Sequence, residues 1–581
     1  MNQIASQNSF PQKGHPKGLA VLFATEMWER YNYYGMRAIL VLFMTKALLF
    51  DKVFASNLYG SYTGLVYLTP LIGGYIADRY WGNKRSIIAG GLLMAIGEFI
   101  LFFCGSLYSS SEHLSTILFF SGLGFMITGN GFFKPNISSL VGQLYPKGDR
   151  RIDPAYTIFY MGINTGGAIG PFICGLVGDT GNPADFKWAF LVAGIGMLIS
   201  VVVQKLYQEK YVITPEGKPL GMVPANSPKL ASNPLFIGVG LALLTGIMIG
   251  ILYLDAKVFS FLSYLLLGSV LLIAFVVFAD KSLSKIEKER IAVIFIVSFF
   301  VIFFWSAFEQ AGASLTFFAD EQTNRAVGLR VPMYVVYLLS AALLLYVFTV
   351  WRKAIKNLGT VARDLLAAVH LLLFLLVAGV LYANVYLITQ GKSDLILDEV
   401  PASWFQSLNS IFVVAFAPFF AWLWLKLGKR EPSSPTKMAV GLFLLALGYL
   451  WIAFGVKDVG PGIKVSMIWL TGMYALHTCG ELCLSPIGLA LVNKLAPLKF
   501  ASLLMAVWFL ANAAANKLAG VLSALYPEQG KSTHFLGYEM HTMYGFFILF
   551  VIMAGIASLI LFLITKKLQR MMHPEAIAPT Q

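Results

Sequence analysis

Charged residues are scarce in this 581-residue chain: Asp, Glu, Lys and Arg make up 12% of it, against 57% hydrophobic residues. A soluble globule of this length needs a far more polar surface, so the composition excludes one and points to a polytopic membrane protein. Cysteine is equally sparse. Cys104, Cys174, Cys479 and Cys483 all lie in apolar segments and read as packing thiols, and Cys479 with Cys483 lacks a third ligand for a metal. The Gly-rich loop ending in Lys-Ser or Lys-Thr that ATP hydrolysis needs is missing. The seven histidines form no HExxH pair and no GxSxG elbow occurs, which argues against an intramembrane hydrolase. No enzyme is expected, and neither cofactor nor metal. Residues 1 to 16 lack a separate short apolar core with a cleavage site, so no removable signal peptide is expected and the first helix serves as its own signal. Acidic residues are outnumbered 29 to 43, for a net charge of +14. The basic residues, however, sit mainly in short loops between apolar runs, where they report orientation and not a nucleic-acid partner.

What is present is a series of sixteen apolar runs of eighteen or more residues, from 18–49 to 542–565. With the N-terminus inside, the inner loops collect Arg79, Lys84 and Arg85, then Lys147, Arg150 and Arg151, and finally the tail Lys566, Lys567 and Arg570. The outer loops carry Glu112, Asp179, Asp185, Asp394, Asp398 and Glu399. This alternation places both termini in the cytoplasm. An internal repeat is visible at an offset of 351: Pro135, Leu140, Val141, Leu144 and Pro146 match Pro486, Leu491, Val492, Leu495 and Pro497. The reading is an all-α protein with two related six-helix bundles in parallel orientation, as in major facilitator transporters, plus two inserted helical hairpins, about 16 transmembrane helices in all. The expected divisions are 1–207 for the first bundle, 208–289 for a linker and hairpin, 290–320 for the first helix of the second bundle, 321–399 for the second hairpin, and 400–581 for the remainder.

Charges inside apolar spans cost roughly 2.5 to 3.5 kcal/mol each unless partnered, so each marks a candidate site. Glu26, Glu29, Arg30 and Arg37 fall with Tyr33 in a stripe about 100° wide on the first helix. That face must look into a protein-lined or wet cavity. Lys134 precedes Pro135, Glu309 follows Trp305-Ser306-Ala307-Phe308, and Glu481 lies four residues before Ser485-Pro486. Pro and Gly neighbours favour bent helices and open cavities there. Glu98 and Lys517 are less centrally placed. The segment Gly73 to Arg85 reads as an inner connecting loop whose glycines permit close helix approach, a gate or topology element.

Taken together these residues resemble the proton-dependent oligopeptide transporter family, a branch of the major facilitator superfamily, and its bacterial-type members in particular. The matches are Glu26-x-x-Glu29-Arg30 with Tyr33, Tyr34, Gly35 and Arg37; Gly73 through Arg79; Lys134-Pro135; Phe159-Tyr160 with Ile163-Asn164; Glu309; Phe405-Gln406-x-x-Asn409; Glu481 with Ser485-Pro486; and Trp508-Phe509. The resemblance implies a symporter importing di- and tripeptides with protons, by alternating access, in the cell (inner) membrane, probing no nucleic acid and acting as a monomer. It implies proton coupling by Glu26, Glu29, Arg30, Lys134 and Glu309, with Lys134 and Glu309 as a pair. Arg37 and Lys134 would face the peptide carboxylate, and Glu481, Asn164 and Asn409 its amino group. Tyr33, Tyr34, Tyr67, Trp305, Ser485 and Trp508 would line side-chain pockets. Two departures stand out: Tyr31 replaces the usual Phe, and about 70 residues with two apolar runs lie between the Glu309 helix and the Pro401-x-x-x-Phe405-Gln406 helix, a passage usually short in the family. The hairpin at 234–279 matches an extra pair common in bacterial members, whereas that at 332–389 is unusual. No His occurs in the second span, so proton handling rests on carboxylates. Alternatives are proton-coupled transport of nitrate or another small substrate, or a peptide-sensing receptor or channel on the same scaffold.

Overall fold

The computed structural model describes residues 14–146, 148–224, 227–228, 233–258, 260–335, scattered positions from 337 to 349, 394–460, 462–528 and 532–573. Its helices are α1 (Lys17–Lys46), α2 (Lys52–Leu68), α3 (Pro70–Ile76), α4 (Gly82–Leu107), α5 (Glu112–Gln143), α6 (Ile152–Gly178) and α7 (Phe186–Tyr211). They continue with α8 (Pro234–Lys257), α9 (Phe261–Phe278), α10 (Lys285–Phe308), α11 (Ser314–Glu321), α12 (Phe405–Leu427), α13 (Ser434–Val456), α14 (Met467–Leu495), α15 (Ala501–Ser523) and α16 (Met543–Met571). Apolar runs in lipid offer the backbone no outside partner, so each must satisfy its N–H and C=O groups internally as a helix. Polar side chains set some of their starts: Asp51 accepts the Phe54 N–H at 2.9 Å, and Ser284 forms a reciprocal capping box with Glu287.

The stretch expected as an inner connecting loop, Gly73 to Arg85, is mostly helical. It comprises the end of α3, a π-helical turn at Ala77–Trp81 and the start of α4. Gly82 turns the chain at φ +73° against the backbone of Gly221 and Met222, where any side chain would collide.

Two groups of helices result. In the first, α1 packs on α6 and α7, and α4 on α5 and α7; in the second, α13 packs on α14 and α16, and α10 on α15 and α16. The groups meet where α2 lies on α15 and α6 on α12, while α8 rests on α2 and α5, and α9 on α15. Lys46, at the end of α1, pairs with Asp320 of α11 at 2.7 Å. Because α11 continues α10, α1 and α10 run in the same direction, and their starting ends share the opposite face of the molecule.

Among the described residues, eleven stretches are long and apolar enough to cross a membrane. One of them, Lys52–Leu107, folds back at Gly82 into two crossings, and α1 and α14 lie outside that set. Fourteen of the expected crossings thus correspond to helices among the described residues. The other two, 332–351 and 365–389, fall largely outside them, and the count of sixteen is not confirmed. Strand Ala326–Pro332 pairs antiparallel with Asp394–Glu399, so the segment between them leaves and rejoins the fold at one place.

Polarity is inverted relative to a soluble protein. Leu235, Tyr264, Phe275 and Leu563 stand exposed, whereas Glu26, Glu29 and Arg30 are buried to 2% or less.

Candidate functional site

The charged stripe of α1 faces α5, α10 and the interior. Arg30 holds Glu26 at 3.3 Å and grips Glu29 through two nitrogens, with Nη2 to Oε1 at 2.6 Å. Glu29 also accepts from Asn130 Nδ2 of α5 at 3.2 Å. A buried fork-to-carboxylate pair with a further donor satisfies the charges that lipid would leave bare. Asn130 escaped the sequence reading, although it sits one turn before Lys134 on the same helix, a spacing that places both on one face.

Two turns further, Arg37 reaches from α1 to Glu309 at 2.9 Å between Nη1 and Oε2. The contact joins the two helix groups. Its donor angle falls short of a hydrogen bond, so Arg37 Nε and Glu309 Oε2 have no hydrogen-bond partner among the described residues. Glu309 projects there because α10 ends at Phe308 and a 3-10 turn, Glu309–Gly312, precedes α11. Tyr34 separates the two charge groups, with the Arg30 and Arg37 guanidinium carbons 5.8 and 5.4 Å from its ring centre. Tyr33 stands edge-on to Tyr34 at 5.3 Å, its hydroxyl buried and without a partner among the described residues.

The expected Lys134 and Glu309 pair is not formed in this conformation, because Glu309 is turned toward Arg37. Lys134 instead lies with Nζ 4.7 Å from the Tyr67 ring centre, and it has no ion pair among the described residues. It remains within electrostatic reach of Arg30, Glu29 and Glu26, and also of Glu309.

Glu481 of α14 accepts from Asn409 Nδ2 of α12 at 2.8 Å, and Asn409 also donates to Thr478 at 3.2 Å. Tyr160 stands beside Glu481, a second residue that the sequence reading left out of the site though its motif contained it. Asn164, by contrast, donates to the Tyr160 carbonyl of its own helix at 2.9 Å. Trp305 packs edge-on to Phe304 and Phe308, each at 5.2 Å. Trp508 is buried against the backbone of Gly488. The side chain of Ser485 lies outside the described residues.

Four carboxylates, Glu26, Glu29, Glu309 and Glu481, thus face three cations, Arg30, Arg37 and Lys134. Glu481 is the carboxylate held only by neutral groups, so the seam has room for one further positive charge at that end. At the other end Arg37 keeps a free donor. A small zwitterion has the matching polarity. A cavity of about 720 Å³ lies elsewhere, between α9, α10 and α15.

The face remote from the starts of α1 and α10 is sealed. Lys46 pairs with Asp320, Lys52 with Glu321 at 2.6 Å, and Ser403 with Asp179 at 3.1 Å, each across the two helix groups. Beside them the backbones of Gly60 in α2 and Gly520 in α15 touch, with no space for a Cβ on either.

Two six-helix groups around a charged seam make this a transporter of the major facilitator type. The chain belongs to the POT family (PTR2), whose profile matches residues 84–361 and 343–538. It is 33% identical over 541 residues to the uncharacterized transporter YclF of Bacillus subtilis, covering 91% of this chain and 92% of that one. It is 29% identical to a di-/tripeptide transporter of Lactococcus lactis subsp. cremoris, covering 96% and 97%. A crystal structure of a POT peptide transporter, a Glu-to-Gln variant in complex with alafosfalin, superposes with a TM-score of 0.70 at 29% identity and covers 97% of each chain.

Proposed function

We propose that this protein imports di- and tripeptides with protons by alternating access. The observation that carries the reading is the polarity of the seam: an arginine with a spare donor on one helix group, and on the other a carboxylate held only by neutral partners. A peptide bridging Arg37 and Glu481 has its carboxylate at one end and its ammonium at the other. The description of the Lactococcus relative as a di-/tripeptide transporter supports the same substrate class.

Coupling follows from competition. Glu309 and a peptide carboxylate are rivals for Arg37. A proton on Glu309 removes its charge, frees Arg37 for the peptide and loosens the contact between the helix groups. Glu26, Glu29 and Arg30 form the neighbouring relay, and Lys134 lies between it and Glu309. Tyr33, Tyr34, Tyr67, Trp305 and Trp508 border the peptide side chains, with Asn164 and Asn409 near the amino end. The electrical term is about 2.3 kcal/mol per charge per 100 mV, enough for one proton to drive accumulation.

In this scheme 1–207 and the pair 290–320 with 400–581 are the two moving bodies, while 208–289 and 321–399 are insertions. The protein acts as a monomer in the bacterial inner membrane with both termini cytoplasmic, which makes the sealed face the outer one and the conformation inward-facing. The test is Glu309→Gln in proteoliposomes. Uptake of labelled dialanine driven by a pH gradient falls to background, whereas exchange of labelled for unlabelled peptide continues. Gradient-driven uptake at the wild-type rate would refute the coupling role.

A further inference from the structure

The hairpin α8–α9 takes no part in the peptide seam, yet it carries a buried charge. Asp255, in the last turn of α8, is 0% exposed, and Lys517 of α15 and Ser61 of α2 are each 1% exposed. Lys517 Nζ donates to Asp255 Oδ2 at 2.6 Å and approaches Ser61 Oγ at 2.9 Å. The Ser61 hydroxyl also donates to Asp255 Oδ2, and Asp255 Oδ1 accepts the Leu262 N–H at 2.8 Å. One carboxylate therefore closes the tip of the hairpin and joins a helix of each half.

A buried ion pair repays its desolvation only where the geometry is good and further hydrogen bonds satisfy the remaining atoms, and Asp255 meets that condition, accepting from Lys517, Ser61 and the Leu262 N–H. Its position adds a role. Ser61 follows Gly60, and Lys517 precedes Gly520 by three residues, so the triad flanks the point where α2 and α15 touch. Any swing that opens the sealed face parts α2 from α15, drawing Ser61 away and letting water reach the charges. Against α10 the hairpin makes an aromatic contact, Phe278 with Phe295 at 5.8 Å between ring centres, but no ion pair among the described residues, and a 720 Å³ cavity lined in part by Leu266, Ser298 and Lys517 lies beside it.

We propose that Asp255, Lys517 and Ser61 form an intramembrane latch by which the hairpin holds the α2–α15 seam shut and sets the population of the state closed at that face. Asp255 and Lys517 are positioning residues for transport and do not touch the peptide; the inference rests on the alternating-access reading. The experiment uses the full chain in lipid with spin labels at Val53→Cys and Leu525→Cys, one on each side of the seam. The charge-free Asp255→Leu/Lys517→Met pair leaves no unpaired buried ion and so avoids the folding defect expected of Asp255→Asn alone. It is expected to raise the open fraction about tenfold and to shift turnover more than KM for dialanine, and Ser61→Ala is expected to shift the open fraction in the same direction by a smaller factor. A distance distribution unchanged in the double variant, with gradient-driven uptake intact, would overturn the latch and leave the transport reading standing. Absence of gradient-driven uptake by the unsubstituted protein would overturn the transport reading itself.

Discussion

Replacing Glu481 by Gln isolates one end of the charged seam proposed to hold the peptide. Gln keeps the length of the side chain and an oxygen that accepts from Asn409, whose bond to Glu481 is 2.8 Å, so the local packing survives and only the charge is lost. At 4 Å and an effective dielectric of about 20, a carboxylate and an ammonium attract by about 4 kcal/mol before desolvation. The net worth of a hydrogen bond to a charged group is about 1.5 to 3 kcal/mol. With the site 8% exposed, screening by bulk water is small and that range applies without discount. The expected outcome is a rise of about tenfold to a hundredfold in KM for dialanine. The assay is proteoliposome uptake under a fixed pH gradient, with dialanine and N-acetyl-dialanine as paired competitors. The unsubstituted protein strongly prefers the free amine, and Glu481→Gln erases most of that preference. An unchanged ratio of the two inhibition constants would refute the placement of the ammonium at Glu481, whatever happened to the overall rate.

Four further outcomes are open to test. Glu309→Gln abolishes gradient-driven uptake while sparing exchange, as set out above. Gly520→Leu forces a side chain into the Gly60 contact; the overpacking costs about 1 to 3 kcal/mol, and label distances across α2 and α15 report a seam that no longer closes. Lys52→Ala breaks a partly exposed pair with Glu321, worth under about 1 kcal/mol, so thermal stability in detergent changes little and a large drop would show that the pair contributes more than a partly exposed ion pair can. Asn130→Ala removes one of the donors to Glu29 at a cost of about 1 kcal/mol; the pH dependence of uptake shifts while KM for dialanine holds, and an unaltered pH profile would separate Asn130 from coupling.

Much of this protein is legible in its amino-acid order because a bilayer imposes strong rules. Apolar runs longer than the hydrocarbon thickness must be helices, and ionisable residues within them must face inward, so α1 announces both its path and its buried charged face before any neighbour is known. The regularity of Glu26, Glu29, Arg30, Tyr33 and Arg37 on one stripe survives intact in the structure. The short stretch from Gly73 to Arg85 misleads, since glycine and charge suggest a loop where close packing on the α5 backbone permits α3, a π turn and α4.

Partnerships are what the order of residues does not settle. Arg37 and Lys134 are both cations within reach of Glu309 in a one-dimensional reading, and only the break of α10 at Glu309 turns that carboxylate toward Arg37 and leaves Lys134 over Tyr67. Likewise Lys517 reads as a stray charge until α8 brings Asp255 beside it from 262 residues away. Composition and periodicity specify which faces must be buried, since they express local transfer energies. Which charge meets which depends on helix bends and on contacts between distant segments, and these exist only once the two halves and the inserted hairpin have packed.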